Sequence, residues 1–226
     1  MKRLTPREGY DLYAKDYRKD HAYLDTFMDG AESEAWTRAL ETLLEHQSQI
    51  IAMDAGCGDG RTLGRWRRRI ETRALTERVE LWGTDVSPKM LEAARGRVKG
   101  LKWDSLDLAN LGAVAAWRQT HGAVDLLSAY FLLVHFDRVE KFFAGCAALM
   151  APGGRLVMNT IRQPSAPELR AMGKPIVIEA WDHRPEEVLA LGQDAGFELV
   201  SRQDFEEKGE VVSTLLDWQL SPADPS

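Results

Sequence analysis

Ile50-Ile51-Ala52-Met53-Asp54-Ala55-Gly56-Cys57-Gly58-Asp59-Gly60 reads as a buried strand, Gln49 to Met53, running directly into a glycine loop. Glycine lets a backbone bend sharply and approach a ligand closely. Leu63, Trp66 and Ile70 then share one helical face, so the loop joins a strand to a helix. A dinucleotide fold spaces its glycines Gly-x-Gly-x-x-Gly so that pyrophosphate meets the helix N-terminus. Here the third glycine arrives one residue early, as Gly56, Gly58 and Gly60. Asp54 closes the strand and Asp59 sits within the loop. Two carboxylates there suit a ligand bearing an ammonium or sulfonium better than a pyrophosphate, which disfavours a nicotinamide oxidoreductase.

Working outward, short apolar runs alternate with amphipathic helices, the pattern of an α/β sheet. Val79 to Gly83, Val124 to Ala129 and Gly154 to Asn159 read as further buried parallel strands, with a weaker one near Leu101 to Trp103. Trp36, Leu40, Leu43 and Leu44 form a helical face before the first strand, and Val139, Phe142, Cys146 and Leu149 form one before the fifth. Ser87-Pro88 marks a helix start, a capping hydroxyl followed by a first-turn proline. Thr160 to Pro175 has three prolines and no clear period, and is expected to be an irregular insertion. Arg184-Pro185-Glu186-Glu187 opens a helix that Gly196 stops. Phe197 to Arg202 and Val211 to Leu220 follow, and so short a link requires antiparallel pairing. Five parallel strands with a terminal antiparallel hairpin are expected.

The chain of 226 residues is 44% hydrophobic and 28% charged, in the range of one folded domain. Its net charge of −6 argues against duplex DNA as the main partner. The segment MKRLTPREGYDLY has no apolar run after its basic residues, so no secretory signal and a cytoplasmic location are expected. Ala123 to Phe136, the longest apolar stretch, is too short for a membrane span. Cys57 and Cys146 match no metal or redox spacing and are expected as small buried hydrophobes. No metal site is expected.

The second strand ends at Gly83-Thr84-Asp85, where an acid is placed to take two ribose hydroxyls. It lies beyond the roughly 20 residues usual between a glycine fingerprint and its ribose acid, a difference the arginine-rich helix between them absorbs. Asp54-Ala55-Gly56-Cys57-Gly58-Asp59-Gly60, Asp85-Val86-Ser87-Pro88-Lys89-Met90-Leu91 and Pro152-Gly153-Gly154-Arg155-Leu156 together resemble the successive motifs of class I S-adenosylmethionine-dependent methyltransferases. The likeness runs from about Tyr10 to Arg202. It implies a Rossmann-like α/β three-layer sandwich, with a seven-stranded, mostly parallel sheet and a terminal antiparallel hairpin. It also implies S-adenosyl-L-methionine as cofactor. By that resemblance Gly56, Gly58 and Gly60 wrap the methionine moiety, with Asp54 and Cys57 also among the cofactor-binding residues, Asp85 takes the ribose and Val86 packs on adenine. Asp107 with Leu108 flanks the adenine amino group, with Asp104 as a rival, and Ala129 borders the site from the fourth strand. Residues 1–48 would be lid helices, 49–220 the core and 160–181 an acceptor-side insertion.

Transfer from a sulfonium needs mainly positioning and desolvation. A general base is required only when the acceptor must lose a proton. His135, just beyond the fourth strand, is the candidate; His21, His46, His121 and His183 have no better case. Ser128-Ala129-Tyr130-Phe131 stands where enzymes acting on amines of nucleic-acid bases often carry an Asn or Asp, two prolines and an aromatic. Tyr10, Tyr13 and Tyr17 recur at helical spacing, and Tyr17 is taken as the one facing the cofactor, since aromatic faces attract cations. Arg162 and Arg170 are candidates to receive a carboxylate, and Arg65, Arg67, Arg68 and Arg69 read as a solvated face. A small-molecule O or N acceptor is the expectation; an RNA or protein methyltransferase and a noncatalytic cofactor-binding module are the alternatives.

Overall fold

The computed structural model describes residues 3–20, 29–166 and 168–222. Seven strands form the main sheet: β2 (Ile50–Ala55), β3 (Val79–Thr84), β4 (Lys102–Asp104), β5 (Val124–Ala129), β6 (Met150–Ile161), β9 (Phe197–Glu207) and β10 (Glu210–Leu220). Their spatial order is β4-β3-β2-β5-β6-β10-β9, parallel from β4 to β6, with β10 antiparallel to both β6 and β9. The expected architecture is therefore present. The sequence reverses direction across the sheet between β2 and β5, and the crevice beyond the carboxyl ends of such strands is where open α/β sheets hold ligands.

Strict alternation along each strand divides two cores. Ala52, Leu81, Leu126 and Val157 pack with α2 (Asp29–His46) and α3 (Arg61–Thr72). Met53, Leu127, Leu156 and Met158 face α5 (Leu111–His121), α6 (Val139–Leu149) and α7 (Pro185–Asp194). Although it falls among residues 1–48, α2 belongs to the first of these layers: Trp36 is fully buried and stacks on Trp66 with ring centroids 4.4 Å apart. The remaining helix of the sandwich, α4 (Pro88–Arg97), starts as expected, with Ser87 Oγ accepting from Met90 N and proline in the first turn.

Thr160 to Pro175 departs from the expectation of an irregular segment. β6 continues to Ile161, and β7 (Glu168–Ala171) and β8 (Lys174–Ile178) form an antiparallel hairpin turning at Met172 and Gly173, both with positive φ. β8 also pairs in parallel with β1 (Arg3–Leu4), giving a separate three-stranded sheet. The strands are four and five residues long and one contains Pro175, so they show no period. Their partner lies at the opposite end of the chain.

This small sheet carries α1 (Pro6–Asp20). The helix opens on a capping box: Thr5 Oγ1 accepts from Glu8 N while Glu8 Oε2 accepts from Thr5 N. Gly9 permits close approach to β8, since a Cβ there would stand 2.5 Å from Ile178 Cγ1. Tyr13, Ala171, Ile176 and Ile178 form a third apolar cluster beneath it.

Between β6 and β10 a buried Arg155 guanidinium donates to both carboxylate oxygens of Asp217, at 3.1 and 2.5 Å. Removing one partner strands a buried charge. Arg155→Ala is expected to cost about 3–5 kcal/mol in urea unfolding, and pairing Arg155→Met with Asp217→Leu to recover most of it.

Candidate active site

The glycine loop leaves β2 with Gly56, Gly58 and Gly60 all in the left-handed region, at φ 68°, 54° and 75°. No side chain adopts three such residues cheaply. Hydrogen bonds hold the loop: Cys57 N donates to Thr84 O at 2.9 Å and Gly60 N to Cys57 O at 3.0 Å. Asp85, at the end of β3, accepts from Gly58 N on one carboxylate oxygen (2.9 Å) and from Ser87 N on the other (2.8 Å). Ser87 Oγ in turn donates to Asp11 on α1 at 2.6 Å, tying that helix to α4.

Asp54 lies below the loop, its Oδ1 accepting from Ser128 Oγ at 2.9 Å. Burial pushes the Asp54 carboxyl up to about 7 and that of Asp85 up to about 6. Asp59 also lines the cavity, paired with Arg97 at 2.6 Å and with Arg61 at 3.5 Å. Cys57 is buried, and its thiol is pushed well above its usual range by burial.

A cavity of about 1050 Å³ runs from this loop across the carboxyl ends of the strands. Tyr17, Asp54, Gly56, Cys57, Gly58, Asp85, Val86, Asp107, Leu108 and His135 all line it. Asp104 does not; it lies 4.0 Å from His121 Nε2, away from the wall that Asp107 occupies. Ala129 is also off the wall. It is fully buried in the core, and the three residues after it, Tyr130 to Leu132, line the cavity instead. A strand residue pointing into the core cannot also face a ligand at the strand's tip.

Above the strand ends α1 forms a roof. Tyr17 meets Tyr13 and Tyr10 edge to face at 5.7 and 6.1 Å, and Tyr10 meets His135 likewise at 5.3 Å. A Cβ on Gly58 would lie 3.7 Å from Tyr17 Oη, which places that phenol directly over the loop. Burial pushes the Tyr17 phenol up to about 12. His135 ends a 3₁₀ turn, Leu133–His135, with Nε2 2.9 Å from Tyr10 Oη and Nδ1 2.9 Å from Glu179 O. Burial lowers its pKa.

The other histidines stand apart. His183 Nε2 donates to Phe136 O, His121 packs between Trp82 and Trp117, His46 ends α2, and His21 lies outside the described residues. Arg170 donates to Gly173 O within its own hairpin turn, and Arg162, on the cavity wall, pairs with Asp182. Among the described residues no group of three His, Cys, Asp or Glu is arranged to hold a metal ion, and no helix is long and apolar enough to cross a membrane.

Several wall residues escaped the sequence reading, Glu32 and Phe131 among them. Glu32 is 5% exposed on α2 and carried no signal beyond being an acid among the alanines of a core-facing helix. Phe131 adopts φ 55° with its N–H donating to Asn159 Oδ1 at 2.6 Å, and the residue is 41% exposed. Nothing local in the sequence marks a left-handed phenylalanine.

Comparison with known proteins agrees with this geometry. Residues 53–156 match the family model described as a methyltransferase domain. An uncharacterized methyltransferase of Emericella nidulans is 26% identical over 231 residues, covering 85% of this chain and 76% of that protein. A demethylmenaquinone methyltransferase of Tropheryma whipplei is 26% identical over 168 residues, 70% of this chain and 59% of the relative, so the match spans well under two thirds of that protein's length. Among solved structures, an amino pentose methyltransferase from Micromonospora echinaspora superimposes with a TM-score of 0.64 at 17% identity, covering 91% of this chain and 96% of that one. Residues 53–156 thus match a methyltransferase domain, and the fold is the Rossmann-like one seen in class I S-adenosylmethionine-dependent methyltransferases.

Because folding raises the Asp54 pKa above its unfolded value, the native state holds a proton that the unfolded chain releases. That contribution to stability is complete below pH 4 and is lost as pH rises through about 7. Thermal melts of the free protein are therefore expected to fall from pH 5 to pH 8, each kcal/mol moving the midpoint by about 2–4 °C at this size. Asp54→Asn should flatten the slope; an unaltered slope would mean that the proton resides elsewhere.

Proposed function

We propose that this protein transfers the methyl group of S-adenosylmethionine to an oxygen or nitrogen of a small molecule enclosed in the cavity. The carrying observation is the cavity itself. Ligand pockets for one drug-sized molecule run to about 300–1,000 Å³, and about 1050 Å³ beneath a roof has room for a cofactor and an acceptor side by side. A roof made of α1 and the β1-β8-β7 sheet favours an acceptor small enough to pass beneath it over a nucleic acid or a folded protein.

The residues present fit the cofactor. The left-handed Gly56 and Gly58 leave a cradle that a Cβ would strain, and the Gly56, Cys57 and Gly58 backbone would hold the methionine portion. Each Asp85 oxygen receives one backbone N–H, leaving a lone pair on each for a ribose diol. Val86 would pack on adenine, with Leu108 and Asp107 at its amino edge. Asp54, buried and with no ion-pair partner among the described residues, favours a positive ligand above, and the Tyr17 phenol faces the same place. When bound, the sulfonium supplies an activated methyl and departs as a neutral thioether. The chain's own part is to align the acceptor, exclude water and, through His135, to accept a proton where one is released.

Calorimetry with S-adenosylmethionine, S-adenosylhomocysteine and NAD is expected to show the two sulfur nucleosides binding and NAD not. Asp85→Ala should weaken them by about tenfold to a hundredfold, the range of lost hydrogen bonds to a charged group. Gly58→Val should do at least as much, because a β-branched residue resists φ 54°. Affinity should also fall as pH drops below about 7 and Asp54 and then Asp85 take up protons. Incubation of a cell extract with methyl-labelled cofactor should put label into the low-mass fraction; label confined to RNA or protein would refute the small-molecule reading.

A further inference from the structure

The roof contributes more than cover. A carbonyl oxygen only accepts hydrogen bonds, so the 2.9 Å contact between His135 Nδ1 and Glu179 O requires the proton on Nδ1. Nε2 then holds the imidazole's lone pair, and the group 2.9 Å from it, Tyr10 Oη, must donate. With its hydrogen turned to His135, the phenolic oxygen keeps its lone pairs for another donor, and Tyr10 lines the cavity. Tyr10 also stands edge to face with Tyr17, whose phenol lies over Gly58, so the dyad begins one ring away from the glycine loop.

We propose that Tyr10 and His135 form a proton relay and that the acceptor is a hydroxyl compound whose O–H donates to Tyr10 Oη. The inference rests on the small-molecule reading above. As the acceptor oxygen bonds to the methyl carbon, its O–H bond breaks and the proton moves to Tyr10 Oη. The phenolic proton moves to His135 Nε2, and the electron pair of the broken methyl–sulfur bond remains with the thioether. The positive charge lost at sulfur reappears on the imidazolium, and a methyl ether is the product. Tyr10 is the catalytic residue, because it touches the acceptor; His135 acts through it.

The surroundings match these tasks. Burial raises the Tyr10 phenol far above its usual range, so it remains a phenol and passes a proton without holding a charge. Burial lowers His135, which keeps the imidazole neutral and able to accept at neutral pH. The groups facing the pair are Tyr17 and Tyr13 from α1, Asp85 from the β3 end and the Glu179 carbonyl following β8. An amine acceptor arriving neutral would need no such relay before transfer.

Two measurements test this. In protein labelled with ¹⁵N-imidazole and free of ligands, His135 should be neutral at pH 7 with its proton on Nδ1, and Tyr10→Phe should shift the Nε2 resonance. A proton found on Nε2 would overturn the relay. With the compound that gains label in the extract, the product should be an O-methyl ether. Tyr10→Phe should lower kcat at least about 100-fold while leaving the S-adenosylhomocysteine Kd within about twofold. The acid limb of the wild-type kcat profile should disappear in His135→Gln. An N- or S-methyl product, or turnover by Tyr10→Phe close to wild type, would overturn the proposal while leaving the small-molecule reading intact. Label confined to macromolecules would remove that reading, and the same variants would then decide the relay on that product.

Discussion

The Asp85 carboxylate is the joint on which the site depends. It ends β3, accepts the Gly58 N–H across the crevice and accepts the Ser87 N–H that begins α4. A loop whose three glycines all have positive φ has no preference of its own for that shape, so an outside restraint must supply it. The restraint continues upward. Ser87 hands its hydroxyl hydrogen to Asp11, and Asp11 also accepts from Lys89 N, so the roof helix is fastened to the same end of α4. One buried acid therefore sets the floor of the cavity and, through a serine, the position of its ceiling. Burial leaves that acid and Asp54 easier to protonate than ordinary carboxylates, which gives a cationic ligand something to gain by keeping both ionised.

The division of labour across the fold is physical. The parallel strands and their two apolar cores make a rigid platform, and the polar groups that matter stand where the strands end. The roof is stabilised separately, by a capping box, a short parallel pairing of β1 with β8 and the apolar cluster around Tyr13. It touches the platform through a few specific bonds, among them Asp11 with Ser87 and Tyr10 with His135.

The platform was legible in the sequence because its signals are local. Buried strands are continuous apolar runs, the Ser87-Pro88 cap lies beside its helix, and the glycine loop sits within a few residues of Asp54. β6 and β9 proved longer than their apolar parts, since antiparallel pairing with β10 carries them into polar sequence. The roof was not legible. Three strands of two to five residues have too little length for a period, and the partner of β1 is far from it in sequence, Arg3 pairing with Val177. The site divides the same way. The acid and glycine positions follow from motif spacing, whereas Phe131 and Glu32 reach the wall through tertiary placement, and Ala129 misses it by one step of strand alternation. His135 could be proposed from its place after β5, but its partners come from residue 10 and residue 179.

The backbone of Glu179 is engaged on both of its polar atoms. Its N–H donates to Leu4 O in the β1 pairing, and its carbonyl receives His135 Nδ1. Tyr10, the other imidazole partner, belongs to the helix that follows β1. Both contacts that dictate which nitrogen of His135 carries hydrogen thus come from the roof side of the cavity. Without those two contacts neither ring nitrogen would be assigned its hydrogen. The tautomer of His135 is in this sense not a property of the strand end that carries it but of the small sheet and helix packed above it.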